Sequence, residues 1–110
     1  MKQRFALLAL ALALAASPLA ACAKPISAMT AAELLDLGEK RLLDMNYEMA
    51  IVYFDRLIEV EPKNARAYAG LAEVYIALGR EDEAVAVLEQ GLVQVPNSPA
   101  LLAQLEALRP

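Results

Sequence analysis

An all-α fold, made of two helix–turn–helix repeats and a closing C-terminal helix, follows from three features of the sequence. The first is a 34-residue register. Moving the stretch Tyr47–Pro62 (YEMAIVYFDRLIEVEP) along by 34 places Ala50 on Ala84, Ile51 on Val85, Phe54 on Leu88, Ile58 on Leu92 and Pro62 on Pro96. The same shift carries Leu34 to Tyr68 and Leu102, and Leu37 to Leu71 and Leu105. The second feature is a set of helix starts on the same ruler: Thr30, Asn64 and Ser98, whose side chains accept from otherwise unpaired N–H groups. The third is a set of stops, Pro62, Gly79 and Pro96, where the apolar periodicity breaks off. A fixed period of this length marks a stacked array, not one closed core.

The elements follow in order. Residues 1–21 have the form of an export signal. Lys2 and Arg4 lead into the apolar run Phe5–Ala16, which is shorter than the roughly 20 residues that span a bilayer, and Ser17-Pro18 closes it. Leu19-Ala20-Ala21-Cys22 resembles the lipobox of bacterial lipoproteins in all four positions. The resemblance implies cleavage before Cys22, a diacylglycerol on its thiol and a further acyl chain, such as palmitate, on the new amino terminus. More than one acyl chain makes such an anchor durable. Ala23 stands where Asp commonly signals inner-membrane retention, so the resemblance leads to the periplasmic face of the outer membrane. Ala21-Cys22-Ala23 also fits an A-x-A site, and cleavage there leaves a soluble periplasmic protein.

Residues 22–29 are expected to be a short lipidated tether, with Pro25 opposing helix. Thr30 and Glu33 make a capping box for a first helix over about 31–44, with Leu34, Leu35, Leu37, Leu42 and Leu43 apolar. Met45-Asn46 turns the chain into a second helix, about 47–61, burying Ala50, Ile51, Phe54, Leu57 and Ile58. Asn64 opens the third, about 65–78, with Tyr68, Leu71, Val74 and Tyr75 inward and Gly79 after its end. The fourth, about 81–95, buries Ala84, Val85, Leu88, Gly91 and Leu92 behind an acidic first turn. Ser98-Pro99 starts a last helix with Leu101, Leu102, Leu105 and Leu108 on one side. Its outer side is expected to show Ala100, Ala103 and Ala107, an end through which copies can self-associate into a homo-oligomer.

These residues resemble the tetratricopeptide repeat. Repeat one (31–64) matches the family pattern at Leu34, Leu37, Gly38, Ala50, Phe54 and Pro62, and departs from it at Arg41 and Leu57. Repeat two (65–98) matches at Tyr68, Leu71, Ala72, Tyr75, Ala84, Leu88, Gly91 and Pro96, and residues 99–110 supply a capping helix. The resemblance implies a right-handed superhelix with a concave groove for another polypeptide. By repeat position that groove carries Leu35, Glu39, Leu42, Arg66, Ala69, Glu73, Ile76 and Gln104, together with Leu43. Members that clamp a chaperone's terminal carboxylates place Lys, Asn and Arg there; here those places hold Leu35, Glu39, Gly70 and Gln104. The expected ligand is instead an extended or helical segment of an envelope protein, with apolar anchors and a Lys or Arg to meet Glu39 and Glu73.

Composition sets limits on the chemistry. Beyond the export signal, eight basic residues (ten less Lys2 and Arg4) face fourteen acidic ones, a formal charge of −6, which is the wrong sign for nucleic acid. There is no histidine, and the single cysteine, Cys22, is given to the lipid. The three serines are Ser17 in the export signal, Ser27 and the cap Ser98. Carboxylate pairs such as Asp36/Glu39 or Glu81/Glu83 have the spacing of solvated helix faces. The expectation is a non-enzymatic scaffold in envelope, pilus or secretion assembly, with no metal and no cofactor.

Overall fold

Four of the five α-helices start where a side chain takes up free N–H groups. The computed structural model describes residues 24–110; the expected export signal and the expected lipidation site Cys22 lie outside the described residues. At the first start, Thr30 Oγ1 accepts from Glu33 N at 3.2 Å while Glu33 Oε1 accepts from Thr30 N at 3.2 Å. The reciprocal capping box expected there is formed. Asn46 Oδ1 accepts from Met49 N at 3.3 Å, Asn64 Oδ1 from Arg66 N at 3.1 Å and Ser98 Oγ from Leu101 N at 3.4 Å. The resulting helices are α1 (Ala31–Leu43), α2 (Tyr47–Val60), α3 (Ala65–Ala77), α4 (Glu81–Gln94) and α5 (Pro99–Leu108). No strand occurs among the described residues. Helix α4 alone starts without a side-chain cap: Arg80 grips Glu83 instead, Nε to Oε1 at 2.7 Å and Nη2 to Oε2 at 2.5 Å.

The two repeats turn at the same register position in the same left-handed backbone conformation. Gly79 has φ 74° and Met45 has φ 59°. That region costs an L-residue roughly 1 kcal/mol that glycine escapes. Replacing Met45 by glycine is expected to stabilise the chain by about 0.5 kcal/mol once the added freedom of the unfolded chain is set against the relief. Thermal melts should show a rise of roughly 2–4 °C; a fall would mean that the Met45 side chain holds the turn.

Helix α3 touches α1 on one side and α5 on the other in one layer, while α2 packs against α1 and α3, and α4 against α3 and α5, in the second. The layer whose helices come closer together is the inner side of the curve, so α1, α3 and α5 line the concave face. Ala50 and Ala84, expected at the helix crossings, have no exposure, and Phe54 and Leu88 have none either. Ile58 touches all three groups of buried side chains and makes the core continuous.

The repeats share a backbone plan but distribute volume differently. In repeat two a large Tyr68 stands over Gly91 and against Leu101; at the equivalent places repeat one has Leu34, Leu57 and Ala67, packed together. The departure of Leu57 from the family pattern is therefore complementary: it fills the room that a leucine at 34 and an alanine at 67 leave open. The second exchange surrounds Phe54, whose ring lies between Gly38 and Gly70. The corresponding positions around Leu88 are Ala72 and Gln104.

Tyr68 also closes the inter-repeat loop, donating its hydroxyl to the Pro62 carbonyl at 2.6 Å. Burial pushes its phenol above the usual 10.0, and Tyr75 is raised by burial and by Asp55 and Glu83, with Arg80 opposing. The native state thus holds these protons more tightly than the unfolded chain. Their contribution to stability is complete below pH ~10 and is lost as pH rises above it. Replacing Tyr68 by phenylalanine is expected to cost about 1 kcal/mol at neutral pH. It should also lessen the fall in Tm between pH 8 and 11, with Tyr75 supplying what remains.

Leu43, expected in the groove, is 81% exposed at the end of α1 and does not border the depression between α1 and α3. Other expectations are corrected. Leu102 is 48% exposed: it holds the register of Tyr68, which α4 covers, but no helix follows α5. On that open end Glu106 and Arg109 take the places of Ala72 and Tyr75 and pair at 3.8 Å, so the end is charged. Ala100 and Ala103, which repeat position also assigns to the groove, share the register of Arg66 and Ala69, and Ala107 shares that of Glu73, so all three belong to the concave face. Finally, residues 24–29 are not a slack tether. Ile26–Ala28 makes one 3-10 turn, and Ile26 and Met29 pack against the Leu34–Leu57–Ala67 group. Lys24 Nζ meets Glu33 Oε1 at 2.7 Å and, with the Thr30 bonds, holds that carboxyl below its ordinary pKa.

Candidate functional site

The concave face is built from the exposed sides of α1, α3 and α5, whose buried apolar stripes fix the rotation of each helix. Between α1 and α3 lies a depression of about 140 Å³. Glu39 and Leu42 border it from α1; Arg66, Ala69, Gly70 and Glu73 border it from α3. Five of the eight residues expected in the groove therefore meet at one place. Gly70 supplies only backbone, because a side chain there would run into Phe54 beneath. The depression consequently has a shallow floor and an apolar wall at Leu42.

Its charges are arranged differently from the expected pair of stacked carboxylates. Arg66 Nη2 reaches across from α3 to Glu39 Oε1 at 2.5 Å. That leaves Glu39 neutralised within the chain. Glu73, one repeat on, makes no ion pair among the described residues and is exposed. The groove thus presents one open carboxylate. Arg66 was expected in the groove only as a lining residue; the sequence signal for its pairing is faint, since the two partners lie 27 residues apart.

The remaining three residues stand elsewhere. Leu35 is half-buried, packs against the buried groups around Phe54 and Leu34, and does not border the depression. Ile76 remains 38% exposed near the C-terminal end of α3, outside the depression. Gln104 is committed to structure: its Nε2 donates to the Ala69 carbonyl at 3.3 Å, tying α5 to α3. Its Oε1 is buried without a protein partner. The register explains this placement, since Gln104 corresponds to Gly70, whose missing side chain points into the core.

Among the described residues, no three His, Cys, Asp or Glu side chains cluster as metal ligands, and no helix is long and apolar enough to cross a membrane. The arrangement can bind by shape and by one carboxylate. The tetratricopeptide repeat family description matches residues 42–108 of the chain. No curated protein matches it.

Proposed function

Because the chain belongs to the tetratricopeptide repeat family, whose members bind other proteins, we propose that it is a non-catalytic adaptor of the bacterial envelope. In this reading Cys22 carries the lipid anchor on the periplasmic face of the outer membrane, and the concave face holds a segment of an envelope protein during assembly of a larger complex. The observation that carries it is the depression between α1 and α3, where an apolar wall at Leu42 stands beside the unpaired carboxylate of Glu73. An extended or helical segment with an apolar anchor and a cation complements that surface. The docked Ile26 and Met29 support a domain held close to its anchor, since little chain remains between Cys22 and the fold.

A photo-reactive phenylalanine placed in turn at Ile76, beside the groove, and at Glu89, exposed on α4, tests the reading in cells carrying the full chain. A discrete adduct from position 76 and none from 89 is the expected result. Equal labelling from both faces, or none from either, removes the adaptor role. An adduct of twice the chain mass supports the alternative of a small self-associating structural lipoprotein, for which the half-exposed Leu102 provides a surface. Cys22→Ser should shift the protein out of the membrane fraction. If wild type is already soluble, cleavage after Ala23 and a free periplasmic protein follow.

A further inference from the structure

The concave face contains one copy of a repeated ion pair and half of a second. Glu39 and Glu73 hold the same register position, 34 residues apart, on α1 and α3. Glu39 is met by Arg66, which stands at the start of the next concave helix. The residue that stands in the same relation to Glu73, at the start of α5, is Ala100. The first junction is thus closed from within, while at the second the cation is replaced by a methyl group. Ala103, one turn on, is also small and exposed, so room is left along α5.

The geometry points to an arginine side chain of a bound polypeptide as the missing half: its guanidinium takes beside Glu73 the place that Arg66 takes beside Glu39. This rests on the adaptor reading and specifies what that groove selects. The internal pair shows the bond the ligand would make, a guanidinium nitrogen against a carboxylate oxygen across two neighbouring concave helices. Ala100 leaves the approach open to a guanidinium that can pair with the Glu73 carboxylate. Arg66 acts in cis at the first junction and so excludes a second basic residue there. The groove is accordingly selective for one arginine, not for a basic run.

The test uses the full chain with its anchor intact, in detergent micelles, isotopically labelled for NMR. The probe is an acetylated, amidated heptapeptide with a central arginine flanked by leucines. Its counterpart replaces the arginine by citrulline, which keeps the shape and removes the charge. The arginine peptide should shift the amides of Ala69, Gly70, Glu73, Ala100 and Ala103 and bind at least threefold more tightly than the citrulline peptide. Glu73→Gln should erase that difference. Ala100→Arg, which supplies the cation from within, should abolish binding of the probe without lowering the melting temperature. Glu89→Gln, exposed on α4 and outside the groove, should leave binding of the arginine peptide within twofold of wild type. Equal binding of the two peptides, shifts confined to α2 and α4, no shifts at several millimolar, or an Ala100→Arg variant that binds as before would each overturn the inference. Groove adducts from position 76 that survive Ala100→Arg would leave the adaptor standing and remove only its arginine specificity.

Discussion

Gly91→Ala should lower stability by about 2–3 kcal/mol, a drop of roughly 8–20 °C in Tm for a domain of this size, although alanine is the better helix former. A methyl group at this position would lie 2.7 Å from Tyr68 Cγ, 2.8 Å from Tyr68 Cβ and 2.9 Å from Leu101 Cδ1. Tyr68 Cβ is fixed by the backbone and no rotamer change moves it, and the χ1 change that would move Cγ swings the buried ring out of its slot. The ring is also fixed at its far end by the bond to the Pro62 carbonyl. Relief requires α4 to move off α3, which opens the core between them. Intrinsic propensity favours alanine over glycine by up to ~1 kcal/mol inside a helix, so the sign of the measured change decides which effect wins. The repeat-one arrangement supplies the rescue. In a Tyr68→Leu/Leu101→Ala background, which copies Leu34 and Ala67 of repeat one, the same Gly91→Ala change should cost much less, and a mutant cycle in urea should return a coupling of at least about 1 kcal/mol. Additive losses would mean that Tyr68 and Leu101 are not the obstacle.

Gly70→Ala is the second large effect. The added methyl would lie 2.5 Å from Phe54 Cε1, and the ring has no retreat, because a methyl on Gly38 would lie 2.8 Å from the same carbon on the other side. Phe54 is fully buried between two concave helices that each come close enough only because they carry glycine. We expect a net loss of about 1–2 kcal/mol after the helix propensity gain. With Phe54→Leu, the residue of the second repeat at that position, Gly70→Ala should reverse sign and stabilise. Because Gly70 is also the floor of the depression, the pair of variants separates folding from binding: the double mutant restores the fold while adding only one methyl beneath Leu42 and Glu73.

The helix boundaries, the caps and the identity of the crossing residues were legible in the sequence because all of them are local or periodic. Thr30 with Glu33, Asn64 and Ser98 each act within three residues of themselves, and Ala50 and Ala84 repeat at a fixed spacing. What stayed hidden depends on which residues face each other across helices. The Glu39–Arg66 pair and the Gln104 bond to Ala69 join residues 27 and 35 apart, and neither follows from one helix's pattern. Register alone treated Leu102 as equivalent to Tyr68, yet burial there depends on a following helix that α5 lacks. Repeat position located Gly70 and Gln104 on the same concave row. The direction of the Cα–Cβ bond, which turns that position inward, is a property of the folded backbone. Ile26 and Met29 were overlooked because Pro25 opposes an α-helix but not the single 3-10 turn that docks them.

The matched volumes at each junction have a consequence for how such a chain can grow. A tandem copy of residues 31–64 would bring Asp36, not Gly70, against Phe54 and drive a carboxylate into an aromatic slot. A tandem copy of 65–98 would set Ala67 where Leu101 now fills the space beside Tyr68, leaving a hole. Neither unit is therefore interchangeable with its neighbour, and lengthening the protein by gene duplication demands compensating substitutions at the new seam before the longer product can fold.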